Sequence, residues 1–222
     1  TKNEIEKRSL DVLKVIGIPP SRWEAFPHEF SGGMRQRIMI ALALVLRPAF
    51  VVADEPTTAL DVLVEAQIIR ILRDLKEQFN TALLLITHNL GIIAEACDRV
   101  AVMYAGKIVE IGDAREVFAK PQHPYTQELL RSTITLTTDG LHFIPGAPPD
   151  LINPPPGCHF HPRCPAAMTY CPLAEPTMHN VHGGETRPGS TDVACWLNQL
   201  DEVPSEFKTP LSQEEISVAD EA

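Results

Sequence analysis

The sequence predicts an α/β fold with a parallel sheet, followed by a small lobe rich in proline and cysteine. Short apolar runs typical of buried strands alternate with segments of helical period, which indicates the first part. The composition shifts near residue 133: 11 of the 20 prolines lie between Pro145 and Pro188, and four of the five cysteines between Cys158 and Cys195. Proline at that density excludes long helices and central strands.

The first two predicted helices differ in how much of their surface is apolar. Residues 4–16 carry apolar side chains at roughly helical spacing, and Gly17 ends that segment. Residues 34–46 are apolar nearly all round, which predicts a buried helix. Pro48 ends it.

Residues 50–97 are predicted to contain two strands, and a helix follows each of them. Short apolar runs at residues 50–53 and 81–87 are typical of strands in the centre of a parallel sheet. Between them, residues 62–79 return to helical period, and a short helix is expected at residues 90–97. This alternation of buried strands and helices indicates a parallel-sheet core.

Residues 99–111 predict two strands joined in a hairpin at Ala105-Gly106. Asp113 and Glu116 have the spacing of a capping box, so another helix is expected to begin there. We expect the α/β core to cover residues 1–112 and the lobe residues 113–197. Residues 198–222 are acidic, and their composition predicts a disordered tail.

The formal net charge of −10 is uneven, because residues 199–222 carry seven acidic side chains against Lys208 alone. Neither that segment nor the rest of the chain offers a basic patch, which argues against nucleic acid as a partner. The longest uninterrupted apolar run, residues 38–46, has nine residues and is too short to span a bilayer. Any association with a membrane is therefore expected to run through a partner.

Ser31-Gly32-Gly33 immediately precedes the apolar helix. The free N–H groups and the positive end of the dipole at such a helix start favour an anion. The glycines allow the backbone to approach phosphate oxygens closely. An ordinary helix cap is the alternative for this tripeptide taken alone, and the residues that follow it favour a phosphate-facing loop.

Asp54 and Glu55 end the first predicted strand, and His88 follows the second. Because α/β sheets bind ligands at the carboxyl ends of their strands, these side chains are candidates for nucleotide chemistry. Asp54 suits coordination of Mg²⁺, and Glu55 is placed to orient and polarise an attacking water. His88 could hold Glu55 and that water in line. A strand-exit turn and a structural histidine are the alternatives for each residue taken singly.

In order and spacing, these features resemble the ATP-binding-cassette (ABC) ATPases. Ser31-Gly32-Gly33 resembles the family's signature loop, residues 51–55 its Walker B strand, Ala59-Leu60-Asp61 its D-loop and His88 its switch histidine. The resemblance implies a head-to-tail dimer, in which the signature loop closes on ATP held by the opposite subunit. It also implies that Asp61 communicates between the subunits.

The phosphate cradle of this family, G-x-x-x-x-G-K-[ST], does not occur in the chain. Only Gly106-Lys107 approaches it, with Ile108 after it and Ala101 in the place of the first glycine. We therefore expect the chain to be the C-terminal part of a longer protein, with the cradle upstream. Phe30 and Met34 depart from the family pattern LSGGQ, and Met34 removes an amide that could reach ribose or phosphate.

Four cysteines of the lobe have the spacing C-x5-C-x6-C-x23-C: Cys158, Cys164, Cys171 and Cys195. In a cytosolic protein such a set indicates a metal rather than disulfides. Four thiolates fit either a [4Fe–4S] cluster or structural Zn²⁺, and His159 and His161 could substitute as zinc ligands. With His123-Pro124-Tyr125-Thr126 and residues 157–165, the set resembles the C-terminal extension of dipeptide and oligopeptide importer ATPases. The resemblance favours the iron–sulfur cluster, in a structural role.

As a whole, the resemblance implies an ATP-hydrolysing subunit of a bacterial ABC importer for dipeptides or oligopeptides, with ATP and Mg²⁺ as cofactors. The expected partners are a second ATPase subunit and two permease subunits at the cytoplasmic face of the inner membrane, and indirectly an extracytoplasmic peptide-binding protein. Nickel or another small solute is the alternative cargo. A soluble ABC ATPase acting on DNA or ribosomes predicts a basic surface or a coiled-coil insertion, which the sequence lacks. A metal-binding lobe acting alone leaves residues 31–88 unexplained.

Overall fold

The computed structural model of the protein describes residues 1–58, 60–133, 142–186 and 189–212, and it divides into two compact units at Ala96/Cys97. The sequence predicts the end of the core at residue 112 instead. The difference arises because the hairpin at residues 99–113 pairs with a strand of the lobe, so that the second unit begins before it.

The first unit alternates helices with two strands, as the sequence predicts. Its elements are α1 (Lys2–Val15), α2 (Gly32–Leu44), β1 (Phe50–Asp54), α3 (Val62–Phe79), β2 (Ala82–Ile86) and α4 (Leu90–Ala96). Strands β1 and β2 are parallel, in a register that runs from Phe50 opposite Ala82 to Asp54 opposite Ile86. The predicted α/β class with a parallel sheet is thus confirmed.

Burial in the first unit is less complete than the sequence predicts. Both strands bury only alternate residues: Val51 and Leu83 pack against the hydrophobic core, whereas Val52 and Leu84 are exposed. Helix α2 also exposes Met39, although its apolar pattern predicts a helix buried on all sides. The physical reason is that the core cluster of this unit covers one face of the two-stranded sheet and one side of α2.

The second unit is built around an antiparallel sheet. Its elements are β3 (Arg99–Tyr104), β4 (Lys107–Asp113), α5 (Ala114–Ala119), α6 (Pro124–Arg131), β5 (His179–Asn180) and β6 (Asp192–Val193). The sheet order is β3-β4-β6-β5. The hairpin predicted at Ala105-Gly106 is confirmed as the β3–β4 connection.

The predicted capping box at the start of α5 is half present. The Asp113 carboxylate accepts hydrogen bonds from the N–H groups of Arg115 and Glu116, as an N-cap residue does. The Glu116 carboxylate bonds the side chains of Thr191 and His182 instead of reaching back to the cap. Tertiary partners far along the chain therefore replace the local half of the motif.

Aromatic and sulfur-containing side chains fill the interior of the second unit. The Tyr104 and Phe160 rings meet edge to face, with their centroids 5.1 Å apart. A separate cluster contains Met168, Trp196 and Val203. Val203 is buried, so the folded lobe continues into the segment whose composition predicts a tail from residue 198. The rest of that tail, residues 213–222, lies outside the described residues.

Glu110 of β4 is fully buried and holds the loop between α5 and α6. Its two carboxylate oxygens accept hydrogen bonds from the backbone N–H groups of Gln122, at 2.8 Å, and His123, at 3.0 Å. Carboxylates that accept backbone N–H groups form charge-assisted hydrogen bonds, which are stronger than neutral ones. This side chain therefore fixes the entry into α6.

We expect Glu110→Gln to lower the free energy of unfolding by about 1–3 kcal/mol, because the new amide group would turn a donor toward one of the two backbone donors. Urea titration followed by fluorescence measures the loss. Glu175→Gln is the matched control: Glu175 is half exposed and pairs with Lys107 at 2.8 Å, so its loss should cost about 0–1 kcal/mol. Equal losses in the two variants would contradict the role given to Glu110.

Across the described parts of the chain, no helix combines the length and the apolar character that crossing a bilayer requires.

Candidate functional site

Glu55 and His88 lie at the same edge of the β1–β2 pair. Glu55 directly follows β1, and His88 follows β2 after one intervening residue. Because the strands are parallel and in register, both side chains emerge at the carboxyl end of the sheet. His88 Nδ1 lies 2.8 Å from Glu55 Oε1, a hydrogen-bond distance. The structure thus brings together the two residues that the sequence predicts to be catalytic.

The second carboxylate oxygen of Glu55 is also held. The Thr58 hydroxyl donates to Glu55 Oε2 at 3.1 Å. The hydrogen bond with His88 is the main cause that lowers the pKa of Glu55 below its ordinary value, and the bond from Thr58 acts in the same direction. Glu55 is therefore an ionised acceptor at neutral pH. A carboxylate in this state can orient a water and take its proton.

The backbone of Glu55 adopts an unusual conformation. Its φ angle is +46°, in the left-handed region that side chains with a Cβ rarely enter. Its N–H donates to the carbonyl of Ile86 at 2.9 Å, which continues the strand pairing by one residue. Strained residues of this kind persist only when their surroundings fix them, and they cluster at functional sites.

Asp54 is the last residue of β1 and is exposed. Its register partner in β2 is Ile86, so it lies one residue before Glu55 at the same sheet edge. An exposed carboxylate at this edge has the oxygen chemistry that Mg²⁺ prefers. Its role toward a metal stays a prediction.

Ser31-Gly32-Gly33 forms the start of α2. The Ser31 hydroxyl accepts a hydrogen bond from the N–H of Met34 at 3.3 Å, as the side chain of a helix N-cap does. A Cβ at Gly32 would meet no atom within 4 Å, whereas one at Gly33 would lie 2.9 Å from Val64 Cγ1. Gly33 therefore lets α2 approach α3, and Gly32 leaves open space at the helix start. That the loop binds phosphate stays a prediction.

Asp61 is the N-cap of α3, and its carboxylate accepts from the N–H of Val64 at 2.9 Å. This bond gives Asp61 a local structural role beside the intersubunit role that the family resemblance implies. Ala59, in the same predicted D-loop, lies outside the described residues.

Two residues near Glu55 were missed by the sequence analysis. Thr58 supplies the second hydrogen bond to the carboxylate, and Gln36 of α2 donates from Nε2 to the carbonyl of Pro56 at 2.6 Å. Neither residue carried a signal in the sequence. Gln36 lies between Arg35 and Arg37, so its polarity does not distinguish it, and polar residues such as Thr58 are ordinary in a strand-exit turn.

The four cysteines of the lobe line one small cavity together with His123 and His161. None of the cysteines forms a disulfide. Burial raises the pKa of each thiol, to about 12 for Cys158 and about 11 for Cys195. The thiols are therefore neutral at pH 7 in this conformation.

The geometry of this cavity gives no support to the expected iron–sulfur cluster. Its volume is ≈ 10 Å³, which corresponds to about one water-sized sphere. Within the described residues, no three His, Cys, Asp or Glu side chains are arranged so that they could hold a metal ion. A four-iron cluster needs more room than this cavity offers. The zinc alternative gains no support either, because no three of these side chains among the described residues are placed to hold an ion.

Two models of known protein families match this chain, one in each of its two units. The family model for "ABC transporter" matches residues 2–58. The model for "Oligopeptide/dipeptide transporter, C-terminal region" matches residues 109–171. A solved structure similar to this chain is cbiO1 from Clostridium perfringens, part of the ABC transporter complex cbiONQ. It superimposes with a TM-score of 0.50 at 32% identity, over 54% of this chain and 47% of that one.

Two curated relatives are similar over most of the chain. The dipeptide transport ATP-binding protein DppD of Bacillus subtilis is 47% identical, over 89% of this chain and 58% of its own length. The oligopeptide transport ATP-binding protein OppD of Salmonella typhimurium is 51% identical, over 79% of this chain and 54% of its own length. The chain thus spans just over half the length of these relatives. With both family models matched in order and these relatives similar over most of the chain, the chain belongs to the ATP-binding proteins of ABC transporters.

Proposed function

We propose that the chain is part of the ATP-hydrolysing subunit of a bacterial importer for dipeptides or oligopeptides. The observation that carries this proposal is the Glu55–His88 pair, joined at 2.8 Å at the carboxyl end of two parallel strands. The similarity to peptide-transport ATP-binding proteins supports the choice of cargo.

In the proposed reaction, Glu55 orients the water that attacks the γ-phosphate of ATP and accepts its proton. His88 holds the carboxylate on one side and Thr58 holds it on the other, which limits the positions that the water can take. Positioning and electrostatic stabilisation supply most of the catalysis of phosphoryl transfer. The lowered pKa of Glu55 keeps it ionised in the resting state.

The remaining site residues are proposed to bind nucleotide. Asp54 would hold Mg²⁺, which neutralises phosphate charge when it is bound. Ser31, Gly32 and Gly33 would present the open start of α2 to a phosphate, which the free space beside Gly32 permits. Asp61 would act at the boundary with a second ATPase subunit.

The proposed partners are a second ATPase subunit and a pair of membrane permeases, with a peptide-binding protein outside the membrane. The subunit would lie on the cytoplasmic face of the inner membrane. Nickel or another small solute stays the alternative cargo, because the specificity for cargo is expected to lie in other subunits.

The test is reconstitution of the full-length subunit with its membrane partners in liposomes. ATP-dependent uptake of a labelled dipeptide, a labelled tetrapeptide and Ni²⁺ is measured side by side. We expect the wild-type transporter to take up peptide. The Glu55→Gln transporter should take up none, although its peptide-binding protein still binds the peptide outside the membrane. ATP-dependent uptake of Ni²⁺ without uptake of peptide would favour the alternative cargo.

A further inference from the structure

We infer that Gln36 is a positioning residue for the catalytic carboxylate, because its side chain holds the turn in which Glu55 is strained. The inference rests on the proposed function, since it assigns a role toward the proposed water-orienting group. It also links that group to α2, the helix that begins at Ser31-Gly32-Gly33.

Two backbone hydrogen bonds hold Glu55 in the turn after β1. Glu55 has a φ of +46°, and a proline follows it, which further restricts the residue before it. On the strand side, the Glu55 N–H is fixed by the carbonyl of Ile86 at 2.9 Å. On the other side, the N–H of Thr58 donates to the Glu55 carbonyl at 3.2 Å, the upper end of the ordinary range. These bonds leave the direction of the intervening Pro56 carbonyl to a contact from outside the turn.

Gln36 supplies that contact to the carbonyl of Pro56. Gln36 Nε2 donates to this oxygen at 2.6 Å, across 20 residues of sequence. Proline has a fixed φ and no N–H, so the direction of its carbonyl is set by one remaining torsion, ψ. The bond from Gln36 fixes that torsion. Pro56 and Thr57 are buried, so water is poorly placed to replace the amide.

Helix α2 is held against α3 by two contacts close to Gln36. The Arg37 guanidinium donates to the side chain of Gln67, and Gly33 approaches Val64 closely enough that a Cβ would clash. Gln36 lies between these two contacts on α2. A shift of the α2 start is therefore passed to the Pro56 carbonyl, and from there to the carboxylate that His88 holds.

The alternative is that the Gln36 bond serves only stability. That role predicts that its loss lowers the thermal midpoint and leaves the chemistry of Glu55 unchanged. The positioning role predicts a loss of kcat at temperatures where every variant is folded. KM for ATP should change little, because Glu55 acts on the attacking water and not on the binding of nucleotide.

The experiment uses the full-length subunit assembled with its partner subunits. Gln36→Met keeps the length of the side chain without a donor, and Gln36→Glu keeps its shape but replaces the donor by a carboxylate. Gln78→Met is the matched control, since Gln78 is exposed on α3 and takes no part in the contacts between α2 and α3 named above. Steady-state kcat, KM for ATP and thermal unfolding are measured for each, with Glu55→Gln alongside.

Both Gln36 variants should lower kcat by about 10- to 100-fold, with KM for ATP within about twofold of wild type, because a small misplacement of a catalytic group has effects of this size. Gln78→Met should keep the wild-type kcat and KM. Wild-type kcat in Gln36→Met, or the same loss in Gln78→Met, would overturn the inference. If Glu55→Gln kept full turnover, the proposed role of Glu55 would fail, and this inference with it.

Discussion

Glu55→Gln in the full-length protein should retain ATP binding and lose turnover by about 10³-fold or more. The amide that replaces the carboxylate is nearly the same size, so the turn and the contacts from His88 and Thr58 can persist. An amide cannot accept the proton of the attacking water, and it polarises that water weakly. The loss should therefore fall on kcat and leave the dissociation constant of ATP nearly unchanged.

Single-turnover hydrolysis and equilibrium binding of a fluorescent ATP analogue measure the two quantities separately. Glu95→Gln is the control. Glu95 is exposed on α4, so its replacement removes the same charge at a position away from the sheet edge. Hydrolysis by the Glu55→Gln variant within tenfold of the wild-type rate would reject the assignment of Glu55.

Gly157→Ala should destabilise the second unit by about 3 kcal/mol or more. Gly157 has a φ of +64°, and a Cβ there would lie 2.3 Å from the carbonyl oxygen of Cys171. That oxygen already accepts from the N–H of Cys158 at 2.8 Å, so the backbone cannot move away without breaking this bond. The cost therefore combines left-handed strain with overpacking against backbone atoms.

Gly183→Ala separates the two contributions. Gly183 has a φ of +79° and no atom within 4 Å of an added Cβ, so its loss should cost about 1–2 kcal/mol from strain alone. The chain has two tryptophans, and Trp196 is buried in the second unit. In a Trp23→Phe background, urea unfolding followed by fluorescence therefore reports on that unit. Equal destabilisation by the two alanines would show that the contact with Cys171 does not matter.

Some features of the site follow from local sequence alone. The period of residues 62–79 predicts a helix, and α3 has those bounds because Asp61 caps its start and Asn80 ends it in a left-handed conformation. That Glu55 and His88 lie at one edge is also predicted from the sequence, because each follows closely on an apolar run typical of a buried parallel strand. Signals of this kind depend on a few consecutive residues, which is why the sequence is sufficient to predict them.

Other features depend on contacts between distant segments. The unit boundary at residue 96 follows from the pairing of Glu110 in β4 with Val193 in β6, and no local pattern encodes a partner so far along the chain. The alternate burial of β1 and β2 depends on which face of the sheet the helices cover. The cysteine spacing predicts convergent ligands, but the path of the proline-rich segment arranges the thiols around a cavity of ≈ 10 Å³.

The sequence by itself determined the class of fold, the order of its elements and the two residues that meet at the sheet edge. Only the tertiary structure decided how Glu55 is held: the left-handed backbone, the hydroxyl of Thr58 and the amide of Gln36 all act on one turn. The physical reason is that periodicity and caps act within a few residues, whereas the bond from Gln36 to Pro56 exists only after α2 has packed beside β1.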